Sequence, residues 1–136
     1  MKICNLDELE NFTKEIMEQL GNDGIVLLRG DLASGKTTFV KEFVKILGLH
    51  VEVSSPTFSI MNEYENRVCH YDIYQNGIDG FLQSGLFEKL NEPKYHLIEW
   101  ADDRLEEILK QYGFDYMKIE IKMINNKRGY KCTHSK

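Results

Sequence analysis

The sequence predicts an α/β protein, and three patterns predict it. Two continuous apolar runs, Ile25 to Leu28 and Tyr95 to Ile98, have the character of strands covered on both faces, as in a parallel sheet. Stretches with apolar residues at helical spacing stand beside them. Segments 58–64 and 67–71 alternate in polarity around Glu65-Asn66, the pattern of an antiparallel hairpin. With 136 residues, 42% hydrophobic and 29% charged, the expectation is one domain over residues 1–136.

The elements follow in order. A first helix is expected from Asn5, where Glu8 three residues on completes a capping box. Leu6, Leu9, Phe12, Ile16 and Leu20 share its apolar face, and Gly21 to Gly24 ends it. The apolar strand 25–28 leads into a glycine-rich turn and a second helix burying Phe39, Val40, Phe43, Val44 and Leu47, stopped by Gly48. Ser54-Ser55-Pro56-Thr57 reads as a loop, because Pro56 lacks an N–H and restricts Ser55. After the hairpin come a loop over 75–80, a short helix over 81–90 and the second apolar strand. Asp102 or Asp103 caps a helix running to about Lys110. A strand over 116–124, a turn over 125–129 and a short last strand close the chain.

Composition narrows the function classes. No stretch nears the roughly 18 apolar residues of a membrane span. Asp7, Glu8 and Glu10 stand where a signal peptide would be apolar. A cytoplasmic protein with no membrane partner is expected. Cys4, Cys69 and Cys132 are scattered and form no C-x-x-C pair, which disfavours zinc and dithiol chemistry. The net charge of −5, pI near 5.4 and only four arginines argue against a chain that grips nucleic acid by itself.

One motif carries chemistry. Gly30-Asp31-Leu32-Ala33-Ser34-Gly35-Lys36-Thr37 fits the phosphate-loop pattern G-x-x-x-x-G-K-[ST] at every fixed position. The two glycines let consecutive backbone N–H groups turn toward phosphate oxygens. Lys36 supplies a positive charge, Thr37 a hydroxyl for Mg²⁺, and the following helix, which Thr38 continues, aims its positive end at the same anion. A chance match would occur in roughly one such chain in two hundred, and here a strand precedes the loop and a helix follows it. This is the arrangement of a P-loop NTPase-like sandwich. The implied ligand is a nucleoside triphosphate, and ATP with Mg²⁺ is favoured over GTP, because no D-x-x-G occurs and Asn126-Lys127-Arg128 is followed by Gly129 rather than an aspartate.

Such a loop needs an acid near the metal, usually at the end of a neighbouring strand. Glu99 follows one apolar strand and Asp72 ends the other candidate, and the residues alone do not say which touches the metal. Thr57 lies where phosphate-loop proteins often place a γ-phosphate sensor. Trp100, the sole tryptophan, is either core packing or a cover over the site.

Four ordered blocks, the loop at 30–38, Ser-Pro-Thr at 55–57, His70-Tyr71-Asp72-Ile73-Tyr74 and Glu99-Trp100, resemble the TsaE (YjeE) family along nearly the whole chain. Gly85-Leu86-Phe87-Glu88-Lys89-Leu90 is similar to a further stretch of it. The resemblance implies a mixed sheet with a parallel centre and antiparallel edge hairpins, helices on both faces, and an ATPase required for N6-threonylcarbamoyladenosine in tRNAs that read ANN codons. It implies TsaB and TsaD as partners, with tRNA reached mainly through their complex. It implies that Lys36 contacts phosphate, that Thr37 and Glu99 bind magnesium, that Asp72 supports hydrolysis and that Trp100 matters for activity. It further implies nucleotide contacts from Leu9 in the first helix and from Arg128 in the last hairpin. Two positions depart from the family: Ala33 stands where glycine is frequent, and Gln75 where arginine is.

Two other readings compete, because fold does not fix function. A small-molecule kinase would need a lid bearing arginines, and no lid-sized insertion is present. A nucleotide-gated binding module without hydrolysis of its own would carry the same residues as a slow ATPase.

Overall fold

The computed structural model describes residues 2–4, 6–31, 35–54, 60–74, 77–124 and 127–134, with side chains from residue 8 onward. Among the described residues seven strands and five helices follow in the order β1 (Lys2–Cys4), α1 (Leu6–Leu20), β2 (Gly24–Arg29), α2 (Lys36–Ile46), β3 (Met61–Tyr64), β4 (Val68–Asp72), α3 (Gly77–Gln83), α4 (Leu86–Lys89), β5 (Tyr95–Glu99), α5 (Asp103–Gln111), β6 (Met117–Ile124) and β7 (Lys127–His134). All strands join one sheet, β1-β7-β6-β2-β5-β4-β3. Its centre, β6-β2-β5-β4, is parallel, and the pairs β6/β7, β1/β7 and β3/β4 are antiparallel. This is the mixed sheet with antiparallel edges that the resemblance implied.

Period-two alternation divides the strands between two cores. On one face Val26, Leu28, Val68 and Leu97 meet Leu9, Phe12 and Ile16 of α1 and Phe39, Val40, Phe43 and Val44 of α2. On the other, Ile25, Leu27, Cys69, Tyr71 and Ile98 meet α3, α4 and α5 through Phe81, Phe87, Leu105 and Leu109. Aromatic side chains fasten the first layer, Phe43 standing edge-on to Tyr95 at 5.0 Å between ring centres. Removing such a buried ring would cost about 3–5 kcal/mol.

The register matters most for the site. Leu28 of β2 lies beside Glu99 of β5, and Glu99 beside Asp72 of β4. Three parallel strands therefore end level, at the edge where β2 has a neighbour on either side that returns from a different part of the chain. Ligands of open α/β sheets bind at that place. The same end of β2 is tied down by Arg29, whose Nη1 donates to Asp103 at 2.7 Å and Glu106 at 3.0 Å of α5.

Several expectations need correction. The helix expected over 81–90 is two: α3 starts at Gly77, inside the expected loop, and Gly85 at φ 81° breaks it from α4. A backbone in the left-handed region cannot continue a right-handed helix. The last strand is not short, and Lys127 to Gly129 belong to it rather than to a turn, since Ile124 already pairs with Lys127. The turn between β3 and β4 takes in Arg67, with positive φ at Glu65 (48°) and Asn66 (59°). Strand β1 had no sequence signal, because three residues are too few to show a period. Asp102 caps α5 by accepting from the Leu105 N–H at 2.9 Å. Asn5, expected as a cap, and residues 58 and 59, expected in β3, lie outside the described residues.

Candidate functional site

The phosphate loop leaves β2 at Gly30 and enters α2 at Gly35, whose φ of 111° and ψ of 17° suit glycine alone. A second demand falls on the same residue: a Cβ there would lie 2.7 Å from Nε and 2.9 Å from Cζ of Arg128. The arginine of β7 thus lies against the end of the loop. Among the described residues its Nη1 is buried and makes no hydrogen bond, an uncommon state for a guanidinium donor.

Lys36 is 4% exposed. Its ammonium donates to the backbone carbonyls of Gly30 at 2.7 Å and Asp31 at 2.8 Å, and stands 4.0 Å from the centre of the Trp100 ring. Burial pushes its pKa down, against the opposing carboxylates of Glu99, Asp72 and Asp31. The group is desolvated and directed into the loop, where a phosphate would be a stronger partner than a carbonyl.

Thr37 is the second residue of α2. Its hydroxyl donates to the Glu99 carboxylate, 2.9 Å from Oε2 and 3.1 Å from Oε1. Glu99 is 3% exposed, and its Oε2 also lies 2.5 Å from Nε2 of His70. One hydroxyl oxygen beside a buried carboxylate is the hard oxygen donor set that Mg²⁺ takes from a protein when phosphates and water complete the shell. The residues present therefore fit the metal as well as the triphosphate.

Asp72 faces the same layer as Glu99. Its Oδ1 accepts the Tyr74 N–H at 2.9 Å, closing a turn that fixes the carboxyl. Burial pushes its pKa up; the Tyr74 N–H works the other way, and Glu99 adds to the rise. Trp100 has φ 65°, costly for so large a residue, and its N–H bonds the Leu28 carbonyl at 3.1 Å. That turn swings the indole over Lys36 and onto Tyr74, whose ring lies 4.4 Å away. A strained backbone beside the lysine and the acids matches the habit of functional sites.

Lys36, Thr37, Glu99 and Trp100 are thus joined by direct contacts, with Asp72 beside Glu99 in register and Arg128 beside Gly35. Thr38 is half-buried in the first turn of α2. Leu9 is placed in the core, 2% exposed, with Phe12 and Ile16. Leu32, Ala33, Ser34, Thr57 with the rest of the Ser-Pro-Thr segment, and Gln75 lie outside the described residues. The sequence alone gives no role to His70, which reaches Glu99 from β4, or to Tyr64, which meets His70 from β3. Alternation could have exposed the first, since His70 and Asp72 are two apart on one strand and share a face.

Known proteins resemble the chain at every level. Residues 3–130 match the profile of the family described as "Threonylcarbamoyl adenosine biosynthesis protein TsaE". The tRNA threonylcarbamoyladenosine biosynthesis protein TsaE of Bacillus subtilis is 34% identical over 119 residues, 79% of this chain and 75% of that one. Its namesake in Rickettsia typhi is 34% identical over 128 residues, 89% and 85% of the two chains. A crystal structure of Bacillus subtilis YdiB superimposes with a TM-score of 0.70 at 27% identity, covering 98% of this chain and 82% of that one.

Proposed function

Because the chain belongs to the TsaE family, we propose that it binds ATP with Mg²⁺ at the level ends of β2, β4 and β5 and hydrolyses it. In this role it serves the synthesis of N6-threonylcarbamoyladenosine in tRNAs reading ANN codons, in the cytoplasm and together with TsaB and TsaD. The observation that carries the reading is the bond between the Thr37 hydroxyl and the buried Glu99 carboxylate beneath the phosphate loop. Burying a carboxylate is costly unless its charge is paired, and a bound cation would supply that pairing beside the bonds from Thr37 and His70.

Each residue has a task in this scheme. Lys36 exchanges two carbonyls for phosphate oxygens, and Arg128 gives the same anion its Nη1, which makes no hydrogen bond among the described residues. Thr37 and Glu99 would hold Mg²⁺, which would neutralise phosphate charge. Asp72, its proton affinity raised by burial, orients a water molecule and takes up its proton. Trp100 and Tyr74 wall the site, and the indole keeps the lysine in place until an anion arrives. Catalysis in such a site is mostly positioning and charge stabilisation. The acidic balance of the chain, −5 overall, fits tRNA contacted mainly through the partners.

The test is phosphate release from ATP in the presence of TsaB and TsaD, comparing wild type with Lys36→Ala and Glu99→Ala. Both variants are expected to lose most of the release, and equal rates in all three would refute the proposal. Nucleotide binding with no release under any condition would instead favour the gated module, and phosphate delivered to a small acceptor would favour a kinase.

A further inference from the structure

Glu99 sits at the end of a buried hydrogen-bond chain that the proposed reaction does not use. Oε2 of Glu99 meets Nε2 of His70 at 2.5 Å, Nδ1 of His70 meets the Tyr64 hydroxyl at 3.0 Å, and that hydroxyl lies 3.3 Å from the Ser54 carbonyl. His70 is fully buried and Tyr64 is 6% exposed. We propose that His70 is the positioning residue of Glu99 and that Tyr64 selects the histidine tautomer able to do this.

The hydrogen inventory supports the assignment. A carboxylate only accepts, so Nε2 of His70 carries the hydrogen. A ring with one hydrogen then has Nδ1 as an acceptor, and in the proposed arrangement the Tyr64 hydroxyl spends its single hydrogen there, at 3.0 Å, rather than on the Ser54 carbonyl at 3.3 Å. The Ser54 carbonyl is not orphaned by this choice, because Asn62 Nδ2 donates to it at 3.3 Å. The chain runs in one direction, from Tyr64 through His70 to Glu99. Without Tyr64 the ring could move its hydrogen to Nδ1 and offer Glu99 no donor.

The backbone explains why these residues can meet. His70 pairs with Leu97, two residues before Glu99, so the histidine reaches its partner diagonally on one face of the sheet. Thr37 holds the carboxylate from the helix side and His70 from the strand side. The His70 bond remains when the threonine oxygen turns to a cation. Groups that hydrogen-bond a metal ligand fix its orientation, and their loss commonly lowers metal affinity about ten- to hundredfold.

His96 is the control within the same fold. It is equally buried, at 1% exposure, but on the other face, where Nε2 donates to the Glu92 carbonyl at 2.9 Å and Nδ1 meets the Tyr71 hydroxyl at 2.8 Å. Both ring nitrogens serve the scaffold there, and no site acid is involved.

The inference rests on the reading of Glu99 as a metal ligand, and the experiment separates the two. Mn²⁺ affinity is measured by EPR with saturating non-hydrolysable ATP analogue for wild type, His70→Leu, His70→Gln, Tyr64→Phe and Glu99→Gln. Analogue affinity in EDTA serves as the folding control. His70→Leu is expected to weaken Mn²⁺ about ten- to hundredfold with analogue binding in EDTA unchanged. His70→Gln, whose amide nitrogen can stand where Nε2 stood, is expected to stay near wild type. Tyr64→Phe should shift the His70 ring-nitrogen NMR signals away from a single Nε2–H form. Wild-type Mn²⁺ affinity in His70→Leu, or His70→Gln as weak as His70→Leu, would overturn the role of His70, and an unchanged tautomer in Tyr64→Phe would overturn that of Tyr64. Glu99→Gln binding Mn²⁺ like wild type would instead sink the metal reading itself, and this inference with it.

Discussion

Arg128→Ala separates a residue kept for packing from one kept for a ligand. Among the described residues Nη1 of Arg128 is buried without a hydrogen-bond partner, a state that costs about 1–3 kcal/mol. Removing the side chain relieves that cost and also forfeits the packing of its stem against Gly35, worth about 1 kcal/mol. The two nearly cancel, so the stability of the free protein should move by no more than about 1 kcal/mol in either direction. Nucleotide binding has no such compensation. A charge-assisted bond from guanidinium to phosphate contributes about 1.5–3 kcal/mol, so the dissociation constant should rise about ten- to hundredfold. Urea unfolding without nucleotide gives the first quantity, and calorimetric titration with a non-hydrolysable analogue the second. A variant losing more than about 2 kcal/mol of stability while binding nucleotide normally would show that Arg128 is structural, and the argument from its unpaired donor would fail.

Gly35→Ala should be destabilised by about 1–3 kcal/mol from the φ of 111° alone and by more from the Cβ pressed on Arg128. Adding Arg128→Ala should return only the second part, and full recovery in the double variant would show that the backbone is not strained. Asp72→Asn tests the buried acid through pH. The folded-state pKa of Asp72 is raised by burial, so its favourable contribution to stability is present below the ordinary aspartate value and is lost as pH rises through the folded value. Asparagine escapes that loss and keeps an oxygen for the Tyr74 N–H. Thermal unfolding should place Asp72→Asn a few degrees above wild type at neutral pH, with the gap closing toward about pH 4; a gap that does not depend on pH would contradict the assignment. Lys36 lies 4.0 Å from the ring of the sole tryptophan, so saturating nucleotide, by drawing the ammonium away, should change Trp100 emission. An unchanged spectrum would mean the lysine does not move.

The legible parts of the fold were those with strong periods. Helices α1 and α2 and strands β2 and β5 stand within a few residues of where their apolar patterns put them, because their burial faces are continuous. The break at Gly85 was hidden, since apolar residues fall on both sides of it at spacings one helix would also produce. In the site, the phosphate loop announced itself by local chemistry: its glycines, lysine and threonine are neighbours in the chain. Glu99 and Asp72 were legible as strand-end acids, although which one faces Thr37 was not. The role of Arg128 was suggested only by resemblance, and its guanidinium reaches Gly35 across more than ninety residues of chain.

By itself, the sequence determined what lies within one turn or one strand: a loop able to wrap phosphate, a helix behind it, apolar strands, and acids at their ends. Those follow from backbone conformation and side-chain type, which act over a few residues. Only the tertiary structure decided the partners. Parallel pairing brought Leu28, Glu99 and Asp72 level, and the packing of α2 against that face set the Thr37 hydroxyl on Glu99 rather than on Asp72. The β3–β4 hairpin brought Tyr64 behind His70 and so behind the same carboxylate. Hydrogen bonds act at about 3 Å and are blind to distance along the chain, so these contacts exist only once sheet register and helix packing have placed both ends.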